Sequence, residues 1–123
     1  MDIKKLKLDE YDRIRAVNFP ERYDLGIATV DNRPEVIIYY IDEMLDVLGF
    51  VEMVKTSDLP GDNRVIFVYE KGRKDGVNRD TIFAPFKDGT YTGFKMRSPM
   101  MCSLSKELSA FVQSYEIIKT NHN

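Results

Sequence analysis

The longest uninterrupted apolar run in this chain, Val36 to Ile41, is six residues long. A membrane-spanning helix needs about 20, so the apolar side chains must bury one another in a core assembled from short elements, and no membrane partner is expected. The 123 residues match one ordinary domain, expected to cover 1–123. A chain of this size hides roughly two thirds of its unfolded surface, enough for one real core. With 43% hydrophobic and 31% charged residues, the composition is that of a globular chain rather than a disordered one.

Two scarce residue types exclude several chemistries. The single histidine, His122, is the penultimate residue, in a polar end, so the folded part is expected to lack the commonest general base and metal ligand. A Ser-His-Asp or Cys-His triad would require the C-terminal tail to fold back into a site. The single cysteine, Cys102, rules out an intramolecular disulfide and a Cys-rich metal site. A lone thiol suits a reducing compartment, and Met1 to Lys7 lack the apolar segment of a signal peptide; the expected location is cytoplasmic. Met100 and Met101 beside Cys102 mark it as a packed side chain rather than a nucleophile. Gly72-Arg73-Lys74-Asp75-Gly76 lacks the order of a phosphate-binding P-loop. The expectation is no catalytic residue, no cofactor and no metal.

Local signals give an element order. Asp9 as N-cap predicts a short helix to Val17, ended by Asn18-Phe19-Pro20. Asp24 to Val30 reads as a strand. Asn32, Pro34 and Glu35 then resemble a helix start, Ile37, Ile41, Met44, Leu45 and Leu48 recur at helical spacing, and Gly49 stands where a C-cap wants glycine; the helix is placed at 33–48. Strands are expected at Phe50 to Thr56 and Arg64 to Glu70, then a polar loop from Lys71 to Asn78. Thr81 to Phe86 and Tyr91 to Arg97 read as a hairpin around Asp88-Gly89. Ser98-Pro99 opens a last helix, 99–119, with Leu104, Leu108, Phe111, Tyr115 and Ile118 on its apolar face. Together these predict an α+β fold: a mostly antiparallel sheet of about five strands with two main helices packed on one face.

Charge divides the chain. Residues 1–63 hold 8 Lys/Arg and 14 Asp/Glu, whereas residues 64–123 hold 10 and 6. Two candidate contact surfaces follow. One is the acidic helix face Glu35, Tyr39, Asp42, Glu43 and Asp46, read as solvated and not as a metal site. The other is a basic face: Arg73, Lys74, Arg79, Lys87, Tyr91, Lys95 and Arg97. Phe83, Phe86, Tyr91 and Phe94 interleave with these cations, the composition of a single-stranded nucleic-acid platform.

Two short segments resemble known families. Leu25-Gly26-Ile27-Ala28-Thr29-Val30-Asp31, followed by a helix ending Val47-Leu48-Gly49-Phe50, resembles the first half of a glyoxalase-like (vicinal oxygen chelate) module. That resemblance implies a metal ligand, usually histidine, in the first strand, where Asp24 stands here. Asp88-Gly89-Thr90-Tyr91-Thr92-Gly93 resembles the opening of small FMN-binding domains, without their glycine-rich continuation.

The leading expectation is a small non-catalytic protein acting through protein–protein interaction: an inhibitor, adaptor or assembly subunit of phage or mobile-element type. The alternatives are a single-stranded nucleic-acid binder using 81–97 and a glyoxalase-like small-ligand or metal module. Self-association through the opposite-charge faces is also compatible with the pattern.

Overall fold

The computed structural model describes residues 8, 11–23, 25–30, 33–56, 62–88, 94–96 and 100–117. Six strands and two helices follow in the order β1 (Ile14–Val17), β2 (Val36–Tyr40), α1 (Leu45–Thr56), β3 (Asp62–Glu70), α2 (Arg79–Lys87), β4 (Phe94–Met96), β5 (Met100–Ser103) and β6 (Leu108–Ile117). They form one sheet in the order β1-β2-β3-β6-β4, with β5 also on β6. β4 and β5 pair with different stretches of β6, Ile117 to Tyr115 and Val112 to Ser109, so six strands fill five positions. β1-β2 and β2-β3 are parallel; β6 is antiparallel to β3, β4 and β5. The expected fold class holds: a mixed, mostly antiparallel sheet with both helices on one face.

The core grows from β2 and β3. Val36 to Tyr40 and Val65 to Tyr69 are buried at every position, as strands covered on both faces must be. Side chains alternate across the pleat. Ile37, Tyr39, Val65, Phe67 and Tyr69 pack with α1 and α2 on one face. Val36, Ile38, Tyr40, Ile66 and Val68 pack on the other with Leu104, Leu108 and the non-helical segment that contributes Phe19, Tyr23, Leu25 and Ile27. That same segment guards the sheet edge, because the Val30 N–H donates to the Ile14 carbonyl (2.8 Å) that β1 would otherwise leave open.

Several expected elements take another form. In place of the helix expected at Asp9–Val17, Ile14–Val17 form β1, paired with β2 in the register Ile14↔Val36, while Asp9 and Glu10 lie outside the described residues. Residues 25–30 of the expected strand at 24–30 are irregular. The expected helix 33–48 is in fact β2 followed by the first turn of α1. A run apolar at every position satisfies any period, so spacing could not separate helix from doubly buried strand, and its β-branched and aromatic residues favour the sheet. The expected strand 50–56 is helical, with Val47, Phe50, Val51 and Val54 buried at helical spacing. Gly49 is no cap. It lies inside α1, where an added Cβ would sit 3.1 Å from the Tyr39 hydroxyl, so the small residue lets helix and strand approach.

The expected hairpin at 81–97 is also replaced. Asn78 and Thr81 form a reciprocal capping box that starts α2, and Asp88 caps its end by donating its N–H to the Ala84 carbonyl (2.9 Å). Of the second expected strand, Phe94–Met96 forms β4. The expected helix 99–119 becomes the β5–β6 hairpin. Leu104 and Leu108, four apart, lie at its turn, where Leu104 N–H donates to the Leu108 carbonyl (3.1 Å) and Ser105 Oγ accepts from the Glu107 and Leu108 N–H groups (3.2 and 3.0 Å). Ile118 and Lys119 lie outside the described residues. No helix among the described residues is long and apolar enough to cross a membrane.

Phe50 joins the helices to the sheet. It is 1% exposed and meets Tyr39, Phe67 and Phe86 edge-on at centroid distances of 5.6, 5.0 and 6.1 Å. Phe50→Ala is expected to cost about 3–5 kcal/mol through lost burial and a cavity, read as a lowered midpoint in urea unfolding.

Candidate functional site

The carboxyl ends of the parallel strands β1 and β2 form the candidate site. The chain leaves β1 at Asn18, whose positive φ of 67° turns it out of the sheet, and Asn18 Nδ2 donates to the Tyr40 carbonyl (2.9 Å). Residues 19–23 then pack on the face opposite the helices, with Phe19 and Tyr23 at 5.5 and 5.6 Å from the Tyr40 ring. The chain leaves β2 at Ile41 and enters α1 on the helical face. Neighbouring parallel strands whose connections part to opposite faces leave a crevice between them. Here it is an open cleft of about 480 Å³ lined by Asn18, Phe19, Pro20, Arg22, Tyr40, Asp42, Glu43 and Asp46.

Its acidic wall is built by the start of α1. Asp46 Oδ2 accepts the Asp42 and Glu43 N–H groups (2.8 and 2.9 Å), drawing the connection tight over the helix start and placing its charge where the helix dipole favours it. Glu43 is exposed and its carboxylate has no partner among the described residues. Asp42 is exposed and lies 3.9 Å from Arg73 Nη1. The opposite wall is nearly neutral, because Arg22 pairs with Glu70 (3.1 Å) and lies over the Tyr23 ring at 4.8 Å. Beyond the acidic wall, α1 exposes Leu45 (69%) and Leu48 (43%), so apolar surface borders the carboxylates.

Tyr40 lies beneath the cleft, with its hydroxyl donating to Glu70 Oε1 (3.3 Å). Burial pushes its phenol pKa well above the ordinary tyrosine range, and the Glu70 charge and Tyr23 push the same way. Tyr39 is raised too, by burial and then by the Asp46 charge.

The structure regroups the residues expected to form contact surfaces. Asp42, Glu43 and Asp46 do come together, at a strand-to-helix junction rather than on a helix face. Tyr39 is buried in β2 and 6% exposed, so it offers no surface. Glu35 lies before β2, at the far end of the strand, where its Oε1 accepts the Asp12 and Arg13 N–H groups (3.0 and 3.2 Å). On the basic side, Arg73 is committed within the fold: its guanidinium grips both oxygens of Asp75 and donates to the Asp42 carbonyl. That grip holds the Asp75 carboxyl below the usual carboxylate range. Lys74 and Lys87 are exposed, and Arg79 pairs with Asp80 (3.1 Å). Lys95 lies in β4 opposite Glu116, while Tyr91 and Arg97 lie outside the described residues. Phe86 is 4% exposed and belongs to the core, and Phe83 is half-buried, so α2 does not display them as a stacking platform. Sequence reasoning missed Asn18, Arg22, Leu45, Leu48 and Glu70. Asn18-Phe19-Pro20 was a visible signal of a chain leaving a regular element.

Among the described residues, no group of three or more His, Cys, Asp or Glu converges as a metal site. Cys102 is half-buried against the apolar side chains on the sheet face opposite the helices. No protein-family model, curated protein or solved structure matches this chain.

Two outcomes follow. Asp46→Ala, which removes a charged acceptor of two N–H groups, is expected to lower unfolding free energy by about 1–3 kcal/mol in urea titrations, with Asp46→Asn losing less because an acceptor oxygen remains. The raised phenol pKa values of Tyr39 and Tyr40 favour the protonated, folded form. Their contribution is therefore complete below about pH 10, the ordinary tyrosine value, and is lost as pH rises through the folded-state values. Tyrosinate absorbance during alkaline titration should show a late phase coincident with unfolding, reduced in Tyr40→Phe.

Proposed function

We propose that this chain is a non-catalytic binding protein that acts on another protein, as an inhibitor, adaptor or assembly subunit, and that the partner docks at the acidic cleft and the adjoining leucines of α1. The observation that carries this reading is the contiguity of the two features: a cleft walled by Asp42, Glu43 and Asp46, bordered by Leu45 and Leu48, which α1 exposes while burying its other face. Protein interfaces draw most of their energy from a few anchors seated in pockets and shielded by apolar contact. The chemistry that fits is a lysine or arginine entering the cleft, flanked by apolar residues that cover the leucines. Complementary charge sets orientation and association rate, and covering the leucines slows release.

The nucleic-acid reading gains nothing from α2, whose Phe86 is in the core. The glyoxalase-like reading gains nothing from residues 25–30, which form no strand.

The test is selection of a random displayed peptide library on the immobilised protein. Peptides with Lys or Arg next to apolar residues should be enriched. Their affinity should fall at least about tenfold, near 1.4 kcal/mol, for Asp42→Asn/Glu43→Lys and for Leu45→Asp, and further with added salt. Selected peptides without basic residues, or binding indifferent to both variants, would contradict this reading.

A further inference from the structure

We infer that the partner of the acidic α1 surface is a second copy of this chain, with the basic 71–88 segment of each copy lying on α1 of the other. This rests on the reading of α1 as a docking surface and names its occupant. The two helices lie side by side on one face of the sheet, joined through Phe50 and Phe86 at 6.1 Å, and their exposed charges differ in sign. Residues 42–56 carry Asp42, Glu43, Asp46 and Glu52 against one cation, Lys55. Residues 71–88 carry five Lys or Arg against three Asp. Within that segment Arg73 is committed to Asp75 and Asp42, and Lys71 to Ser103 and Ser105. Lys74 and Lys87 are exposed and have no partner among the described residues.

A layer with one negative and one positive helix is complementary to itself. A two-fold axis lying in the plane of the contact, running along the helices and between them, places each α1 against the other copy's α2, so both contacts join opposite charges. Stacking α1 on α1 would oppose carboxylates. Such a contact is isologous and closes as a dimer rather than propagating. It also covers Leu45 and Leu48 of both copies, the two large apolar side chains that α1 leaves in water. The layer is small: α1 is about 18 Å long, and two helices together are about 20 Å wide. That puts the contact at or below the lower end of the roughly 1,200 Å² that stable interfaces bury, so the dimer is reversible and its population follows concentration and salt.

Sedimentation velocity from micromolar to millimolar protein at low salt tests this, with circular dichroism as the folding control. Wild type should shift reversibly from monomer to dimer and return to monomer as salt rises. Glu43→Lys/Glu52→Lys and Lys74→Glu/Lys87→Glu should each remain monomeric, since each makes both contacts like-charged. An equimolar mixture of the two variants should dimerise, because acid-reversed and base-reversed chains restore both opposite-charge contacts without any chain bearing all four changes. Monomeric wild type throughout, variants that dimerise as well as wild type, or a mixture that stays monomeric would each overturn the inference. If wild type is monomeric yet still binds basic peptides through Asp42 and Glu43, the docking reading stands and only its occupant is wrong. If basic peptides do not bind either, both fall.

Discussion

Double-sided burial of β2 and β3 is the constraint on which the rest of this structure depends. Ten residues, Val36 to Tyr40 and Val65 to Tyr69, are at most 6% exposed. A two-layer protein with one bare sheet face cannot accommodate them, because every second residue would face water. Both faces must be covered, and the chain does so unequally. Two helices cover one face, and the segment from Phe19 to Ile27, with Leu104 and Leu108, covers the other. The irregular segment can substitute for a helix because its apolar side chains, Phe19, Tyr23, Leu25 and Ile27, reach the sheet.

The candidate site is a consequence of that unequal covering. β1 and β2 are neighbours, yet the connection after β1 turns to one face and the connection after β2 to the other. The cleft is the gap between them. Its acidity has a local cause: the N-terminus of α1 favours negative charge, and Asp46 also holds the N–H groups of the two residues that enter the helix. The same carboxylate that organises the helix start therefore contributes to the field of the cleft. Arg73 ties the acidic junction to the 71–78 loop, which fixes the basic segment beside the acidic one and gives the helical layer its two signs.

Much of the local chemistry was legible in the sequence, and its assignment to elements was not. Arg64 to Glu70 reads as a strand and is one, because an apolar run bounded by turn residues and rich in β-branched side chains has few alternatives. Val36 to Ile41 offered no such discrimination, since a run apolar at every position fits any period. Leu104 and Leu108 imitated a helical stripe while closing a hairpin turn. The charge asymmetry was legible, as was the grouping of Asp42, Glu43 and Asp46, since residues within five positions stay close in any fold. Tyr39 was misplaced on an exposed helix face, because its exposure depends on whether Val36 to Tyr40 is a helix or a strand, and in β2 it is buried.

The sequence by itself determined the α+β class, the lack of histidine through the first 121 residues and the opposite charge of its two halves. These depend on composition and short-range order, which folding does not change. Only the tertiary structure decided that β1 and β2 run parallel, that the sheet is covered on both faces, that Arg22 and Glu70 meet across 48 positions and that Leu45 and Leu48 face solvent beside the acidic junction. Each of those outcomes depends on contacts between segments distant in sequence. Their free energies compete only when the whole core is assembled, and local propensity, worth a few tenths of a kcal/mol to about 1 per residue, is outweighed by burial worth about 1.5–3 per large apolar side chain.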